Sequence, residues 1–271
     1  MILLIGASGY IGSAFLAELI SSETPFHVVD HFHAAQFLLS TSMDIKLVIN
    51  CAAFIPKESV ALCDKHQRET IEGNLLFPMR IANICAQRGM WFAQISTGCL
   101  WSDGKEHIEE DEPQRAFSGH CGFYVGTKVL AEQEISKKYH HYIWRVRLPF
   151  DRFDYHRNYL SKLANFSEVF DHTNSISHRE DFAKTCLGLW KKKAPPGTYN
   201  VVNHGAASAR DIVNLLLEHG IRKTVPEFIP GPLGGALLST GELNSVYPDN
   251  PMRDVNEALM EAITNWKKSN V

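Results

Sequence analysis

The sequence predicts an α/β fold: a doubly wound parallel sheet with a small C-terminal lobe. Two observations predict it, and a third marks where its ligands would sit. Short runs that are apolar throughout, such as 2–5 and 47–51, alternate with longer amphipathic stretches in the first half. Strands of that kind are buried on both faces, as in a parallel sheet covered by helices. Strand–helix alternation at this spacing builds right-handed βαβ units. Finally, Gly6, Asp30, Ala52, Thr97 and Pro149 fall at strand ends, and ligands sit beyond the carboxyl ends of strands in such sheets.

Taken in order, the first strand, 2–5, ends at Gly6. Ile11, Phe15 and Leu19 then recur at helical spacing, with Glu18 on another face. A second strand, 26–29, ends at Asp30, and a third, 47–51, leads into Ala52 and Ala53. A long helix is expected over 65–88, with Ile71, Leu75, Ile81 and Ile84 among its apolar positions and Gly89 as its C-cap. The fourth strand, 91–95, ends at Ser96 and Thr97; a helix over 123–139 precedes a fifth strand, 142–148. Beyond residue 150 the spacing predicts helices over 158–166 and 179–192, a strand over 199–202, and a helix from Ser208, where Asp211 completes a capping-box-like start. A proline/glycine loop, 226–235, and a last helix, 255–267, follow. The expected division is a core over 1–150 and, over 151–271, mostly a lobe interwoven with that core.

Composition excludes several classes of function. Of the 271 residues, 27 are Lys or Arg and 30 are Asp or Glu, so the net charge is −3. A chain so near neutrality has no general attraction for nucleic acid or anionic membrane. No apolar run approaches the ~18–20 residues that span a bilayer, and the N-terminal residues read straight into a strand, without the basic leader of a signal peptide. Six cysteines, Cys51, Cys63, Cys85, Cys99, Cys121 and Cys186, stand singly with no CxxC pair. They fit reduced thiols in a cytoplasmic chain, not a disulfide framework or a metal site.

Gly6, Ala7, Ser8, Gly9, Tyr10, Ile11 and Gly12 form a GxxGxxG loop between the first strand and the first helix. Gly6 lets the chain turn, Gly9 lets backbone approach a pyrophosphate, and Gly12 lets the helix pack closely on the strand. The helix N-terminus offers N–H groups and partial positive charge to phosphates. Asp30 stands about twenty residues on, where a carboxylate accepts hydrogen bonds from an adenosine ribose and repels a 2′-phosphate, so NAD is favoured over NADP. His31 and His33 beside it keep NADP open.

Tyr124 and Lys128 stand four apart on one helix face. A free phenol has a pKa of roughly 10; a nearby ammonium and a positive nicotinamide ring are expected to lower it toward a value suited to proton donation to a carbonyl oxygen. Thr97, at a strand end, can hydrogen-bond the same oxygen.

GxxGxxG, a strand-end Ser/Thr and YxxxK, in this order, resemble the extended short-chain dehydrogenase/reductase family over essentially the whole chain. The resemblance implies a Rossmann core with a C-terminal substrate-binding lobe. It implies Tyr124 as general acid/base, Lys128 on the nicotinamide ribose and Thr97 on the substrate oxygen. It also brings cofactor roles to Gly6, Ser8, Gly9, Tyr10 and Ile11, to the Asn50-Cys51-Ala52-Ala53 segment, to Asn74 in the long helix, and to Leu148 in the segment under the nicotinamide. The run STGC at 96–99, with Arg145 to Pro149, Arg157-Asn158 and Lys162, is further similar to the bifunctional nucleotide-sugar 3,5-epimerase/4-reductases. That similarity implies Cys99 and Lys162 as acid/base residues for inversion beside a 4-keto group, and Asn158 near the substrate nucleotide. The chain departs from the pattern at Ala61, where an acidic residue is usual.

The implied activity is NAD(P)H-dependent reduction of a nucleotide-linked 4-keto-6-deoxy sugar coupled to epimerisation. Reduction without epimerisation and a non-catalytic nucleotide-binding subunit are the alternatives. The implied partner, beyond substrate, is a second copy of the chain, joined through the helices at 65–88 and 123–139.

Overall fold

The computed structural model describes residues 1–138, 140–231 and 234–267. Among them, six parallel strands make one sheet: β1 (Ile2–Ile5), β2 (Phe26–Val29), β3 (Leu47–Asn50), β4 (Trp91–Thr97), β5 (His141–Val146) and β6 (Gly197–Asn200). Their order is β2-β1-β3-β4-β5-β6. The direction of winding reverses between β1 and β3, which makes that crevice the expected ligand site.

The helices follow the strands. α1 is Tyr10–Ser21 and α2 is Ala34–Ser40. The predicted long helix is broken into α3 (Gln67–Ile71), a π-helical turn (Glu72–Leu76) and α4 (Phe77–Gln87). Pro78, in the first turn of α4, has no N–H to return to the preceding turn, and the helix widens just before it. Gly89 has φ +65° and ends the run, as expected of a C-cap. α5 is Gly122–Ser136, ending at Lys137 as its C-cap and short of the expected helix; Tyr139, the expected last residue, lies outside the described residues. α6 is Tyr159–Asn165, α7 Arg179–Lys191, α8 Ala209–Glu218, α9 Gly241–Val246 and α10 Val255–Thr264.

Alternation along the strands sorts the core into two layers. Ile2, Leu4, Leu47, Ile49, Ala93, Ile95, Tyr142 and Trp144 face Phe15 and Leu19 of α1 and Phe182 and Cys186 of α7. Their neighbours Leu3, Ile5, Val48, Phe92 and Ile143 face Leu38 of α2, Ile81 and Cys85 of α4, and Ile135 of α5. A third cluster, including Phe150, Leu160, Ile212, Leu216, Leu259 and Ile263, is drawn from residue 148 onward. Yet α7 packs on α1, and β6 extends the sheet beside β5.

The fifth strand stops two residues short of its expected end. The chain leaves the sheet there, Leu148 takes φ +39°, and Ser177 exchanges hydrogen bonds with Arg147. The Ser208 hydroxyl accepts from the Asp211 N–H at 3.0 Å, as the capping pattern predicts.

Candidate active site

The glycine loop sits at the winding reversal. Gly6 has φ +79°, and a Cβ there would lie 2.7 Å from the Ala52 nitrogen at the end of β3. A Cβ on Gly12 would strike the Gly6 carbonyl. Only glycine lets the loop, the first turn of α1 and the 51–53 segment approach this closely. Ser8, Gly9, Tyr10 and Ser13 line one wall of a cleft whose other wall is Phe153, Asp154, Tyr155 and Arg179. The glycine cradle, the open N-terminus of α1 and this cleft fit the pyrophosphate of a dinucleotide.

The second wall was not foreseen. Arg179, in the first turn of α7, donates to the Tyr10 carbonyl at 2.7 Å and the Ser13 hydroxyl at 2.9 Å. Its guanidinium lies 4.5 Å from the Tyr10 ring centroid and pairs at 2.6 Å with the fully buried Asp151. Tyr155 stacks on Tyr10 at 5.3 Å. An arginine at a helix start carries no motif, so nothing in the sequence marked it.

Asp30 is exposed at the end of β2. His33 binds it twice, through its backbone N–H at 3.0 Å and its ring nitrogen at 2.7 Å, and this holds the carboxyl below its usual range. Cys51 and Ala52 are half-buried behind the glycine loop, and Ala53 is exposed.

Asn74 corrects an expectation. Its side chain is 1% exposed, accepts from the Phe54 N–H at 2.8 Å and donates to the Phe54 carbonyl at 2.9 Å. It pins the 51–54 segment from behind, and no face of it is open to a cofactor. Asn158 is a second correction. It is wholly buried; its amide nitrogen donates to Asp151 and to the Phe153 carbonyl, and its oxygen caps α6 at the Leu160 N–H, 2.9 Å away. It shapes the turn into α6 and is not presented to substrate.

The residues expected to carry chemistry are brought together at the carboxyl ends of β4 and β5. Tyr124 is 9% exposed. The Thr97 hydroxyl lies in hydrogen-bonding reach of its phenol and also accepts from the Cys99 N–H at 3.1 Å. Lys128 is buried one turn further along α5, and its Nζ donates to the Ile95 carbonyl at 3.0 Å. Burial pushes its amine down to about 8. The Tyr124 phenol moves opposite to expectation. Burial drives it above its usual value, with Cys99 and Cys63 adding to the rise and Thr97 opposing it. Lys128 is turned toward the strand, so the phenol stays a protonated acid.

Cys99 is half-buried and lies within electrostatic reach of Tyr124, Lys162 and Cys121. Burial and the nearby Arg157 lower the Lys162 amine. Arg115 clamps this corner, donating to the Cys99 carbonyl at 3.1 Å and the His120 carbonyl at 2.5 Å. Asp64 accepts from the Phe123 N–H at 3.0 Å and so fixes the first turn of α5 ahead of Tyr124. Leu148, two residues beyond β5, is half-buried. Beneath the site, Glu132 accepts from Ser96 and pairs with Arg145 at 2.7 Å. Among the described residues no group of three or more His, Cys, Asp and Glu could hold a metal, and no helix is long and apolar enough to cross a membrane.

Comparison with known proteins agrees with this architecture. A bifunctional dTDP-4-dehydrorhamnose 3,5-epimerase/dTDP-4-dehydrorhamnose reductase from Arabidopsis thaliana is 27% identical over 231 residues, 80% of this chain and 74% of that protein. The crystal structure of the L780 UDP-rhamnose synthase from Acanthamoeba polyphaga mimivirus superposes with a TM-score of 0.83 at 20% identity, covering 98% of this chain and 99% of that one. A dTDP-4-dehydrorhamnose reductase from Bacillus anthracis, solved in complex with NADP, gives 0.79 at 16% identity, covering 97% and 96%. At these identities the two structures show a shared fold. Residues 1–225 match the family described as RmlD substrate binding domain. With most of its length inside that match, the chain belongs to the RmlD substrate-binding-domain family.

Proposed function

We propose that this chain reduces the C4 ketone of a nucleotide-linked 4-keto-6-deoxy sugar, with NAD(P)H as hydride donor, and epimerises the sugar at C3, C5 or both before reduction. The observation that carries the reading is the grouping of Thr97, Tyr124, Cys99 and Lys162 at one end of a parallel sheet, beside a glycine cradle. The bound dinucleotide supplies the hydride. Tyr124, kept protonated by its burial, gives its proton to the C4 oxygen as the carbon is reduced. Thr97 hydrogen-bonds that oxygen, and Lys128 holds the cofactor ribose. A ketone at C4 acidifies the C–H bonds at C3 and C5. Cys99 takes a proton from one face and Lys162, its amine lowered by burial, returns one from the other.

Asp30 favours NAD, because an exposed carboxylate at the end of β2 repels a 2′-phosphate. Leu76 and Leu130, 43% and 37% exposed, lie on the helical face that would join two copies, and the protein is read as a cytoplasmic homodimer. The test is direct. Purified protein is mixed with NADH or NADPH and a 4-keto-6-deoxy sugar nucleotide, and the fall in nicotinamide absorbance is followed. Turnover is expected, and it should be lost in Tyr124→Phe. No turnover with either cofactor across dTDP-, UDP- and GDP-linked substrates would return the chain to a binding role.

A further inference from the structure

We propose that Cys99 and Cys121 are a redox pair, joined by hydroperoxide into a disulfide that thiols reverse, which makes Cys121 a modification site facing the active site. The two cysteines are distant in sequence but sit on strands of chain that one side chain holds together. Arg115 spends one arm of its guanidinium on the Cys99 carbonyl, at 3.1 Å, and the other on the carbonyl that precedes Cys121, at 2.5 Å. The thiols lie within electrostatic reach of one another, and both act on Lys162 and Tyr124. Both side chains are half-buried, whereas Cys63, the third thiol near Tyr124, has no exposure.

Cys121 also stands on an unusual backbone. Its φ is +61°, in the left-handed region, at the residue that opens α5. A side chain there costs about 1 kcal/mol that glycine would not. The turn before it is tight: the Gly122 N–H donates to the Gly119 carbonyl and the Phe117 N–H to the Gly122 carbonyl. Phe117 seats the turn by lying where a Cβ on Gly126 would be. The tip of the turn, including His120, is exposed, so small oxidants reach the pair from solvent.

The step balances. The Cys99 sulfur attacks the O–O bond of hydrogen peroxide, giving a sulfenic acid and water. The Cys121 thiol then displaces a second water and forms the S–S bond; in sum two thiols lose two electrons and two protons, and one peroxide becomes two waters. Burial pushes the Cys121 thiol up to about 11 and leaves it mostly protonated, which disfavours it as the first thiol to react. The bridge would withdraw Cys99 from proton transfer and tether the start of the helix that carries Tyr124. This consequence rests on the function proposed above; the cross-link itself does not.

Tryptic cleavage places the three thiols on separate peptides, 58–65, 89–105 and 116–128. The full chain is treated with hydrogen peroxide, quenched with catalase, alkylated and mapped without reduction. The expected product is a cross-link between 89–105 and 116–128 that dithiothreitol removes. In parallel, deuterium wash-in at C3 and C5 should fall about a hundredfold once the pair is fully oxidised and return on reduction. Cys121→Ser, and Cys121→Gly as a variant that suits the left-handed backbone, should keep their activity before oxidation. After peroxide neither should form the cross-link, and Cys99 should pass on to sulfinic acid without recovery. Oxidation of Cys99 in the parent chain with no cross-link, or a cross-link to 58–65, overturns the pairing. A cross-link in a protein that shows no wash-in before treatment keeps the pairing and overturns the epimerase step.

Discussion

Arg179 Nη1 donates to the Tyr10 carbonyl at 2.7 Å, across 169 residues of sequence, and ties the first turn of α7 to the glycine loop. The same guanidinium neutralises Asp151, which is fully buried. Arg179→Met leaves that carboxylate without a cation and should cost about 3–5 kcal/mol of unfolding free energy. Adding Asp151→Asn should recover part of the loss, a non-additivity that denaturant titration of the single and double variants measures. Dinucleotide affinity, followed by fluorescence titration, should fall in both, because the cleft loses the arginine of its second wall.

Lys128 is a residue the fold holds at a cost. Its amine sits at about 8 when folded and near 10.5 when unfolded. Between those values the unfolded chain binds a proton that the folded chain has released, so stability rises with pH across that window. Below it the buried ammonium is destabilising, by on the order of 3 kcal/mol at most. Lys128→Met should therefore melt higher at pH 7 and lose its advantage by about pH 10.5. Its reductase activity should fall by about a hundredfold or more. In the parent, kcat/KM should decline above about pH 8 as Lys128 discharges, while Tyr124 remains protonated. Melting curves and rate profiles over pH 6–10.5 give both readings.

Reduction and inversion should separate. Tyr124→Phe is expected to abolish hydride consumption and keep deuterium wash-in at C3 and C5. Cys99→Ala and Lys162→Met are expected to lose wash-in by about a hundredfold each while still reducing a 4-keto sugar that needs no inversion. Nuclear magnetic resonance of the recovered sugar reads the label. Wash-in unchanged in Cys99→Ala would remove the epimerase step and leave a plain reductase.

Gly6→Ala places a Cβ 2.7 Å from the Ala52 nitrogen at a φ of +79°. It should cost about 1–3 kcal/mol of stability from backbone strain alone. Dinucleotide affinity should fall as well, since loop and 51–53 segment must part. Thermal melts with and without NADH separate the two effects, because a variant that no longer binds gains no stability from the ligand.

Asp30→Ser should raise kcat/KM for NADPH relative to NADH by about tenfold, since it removes the charge that opposes a 2′-phosphate. An unchanged ratio, measured by initial rates with each cofactor, would mean that Asp30, held by the His33 hydrogen bonds, does not select the cofactor.

The central strands were legible because burial on both faces leaves a plain mark: 2–5 and 47–50 are apolar or small at nearly every position. The loop, Thr97 and Tyr124 could be placed because each follows a strand or opens a helix at a spacing set by the fold, whereas Cys99 stood out only through the family resemblance. What escaped is tertiary. Asn74 and Asn158 have the residue type of ligand contacts, but the structure spends their amides on the backbone of Phe54 and of Asp151 and Phe153. The rise of the Tyr124 phenol could not be read either, because it depends on how deeply α5 packs and on which way Lys128 turns. Arg179 and Arg115 act through backbone carbonyls, a use that leaves no pattern in the chain.

The outermost position of β6 sets a schedule for biosynthesis. On the ribosome, the first five strands emerge well before residues 197–200, so β5 waits with a bare edge beside Trp144 and Tyr142. An unpaired edge of that kind recruits other nascent strands. α7, which covers the same side through Phe182 and Leu187, emerges only shortly earlier. Polypeptides stalled or cut between residues 150 and 196 should thus be the aggregation-prone species and the natural clients of chaperones, although they already contain the whole dinucleotide loop.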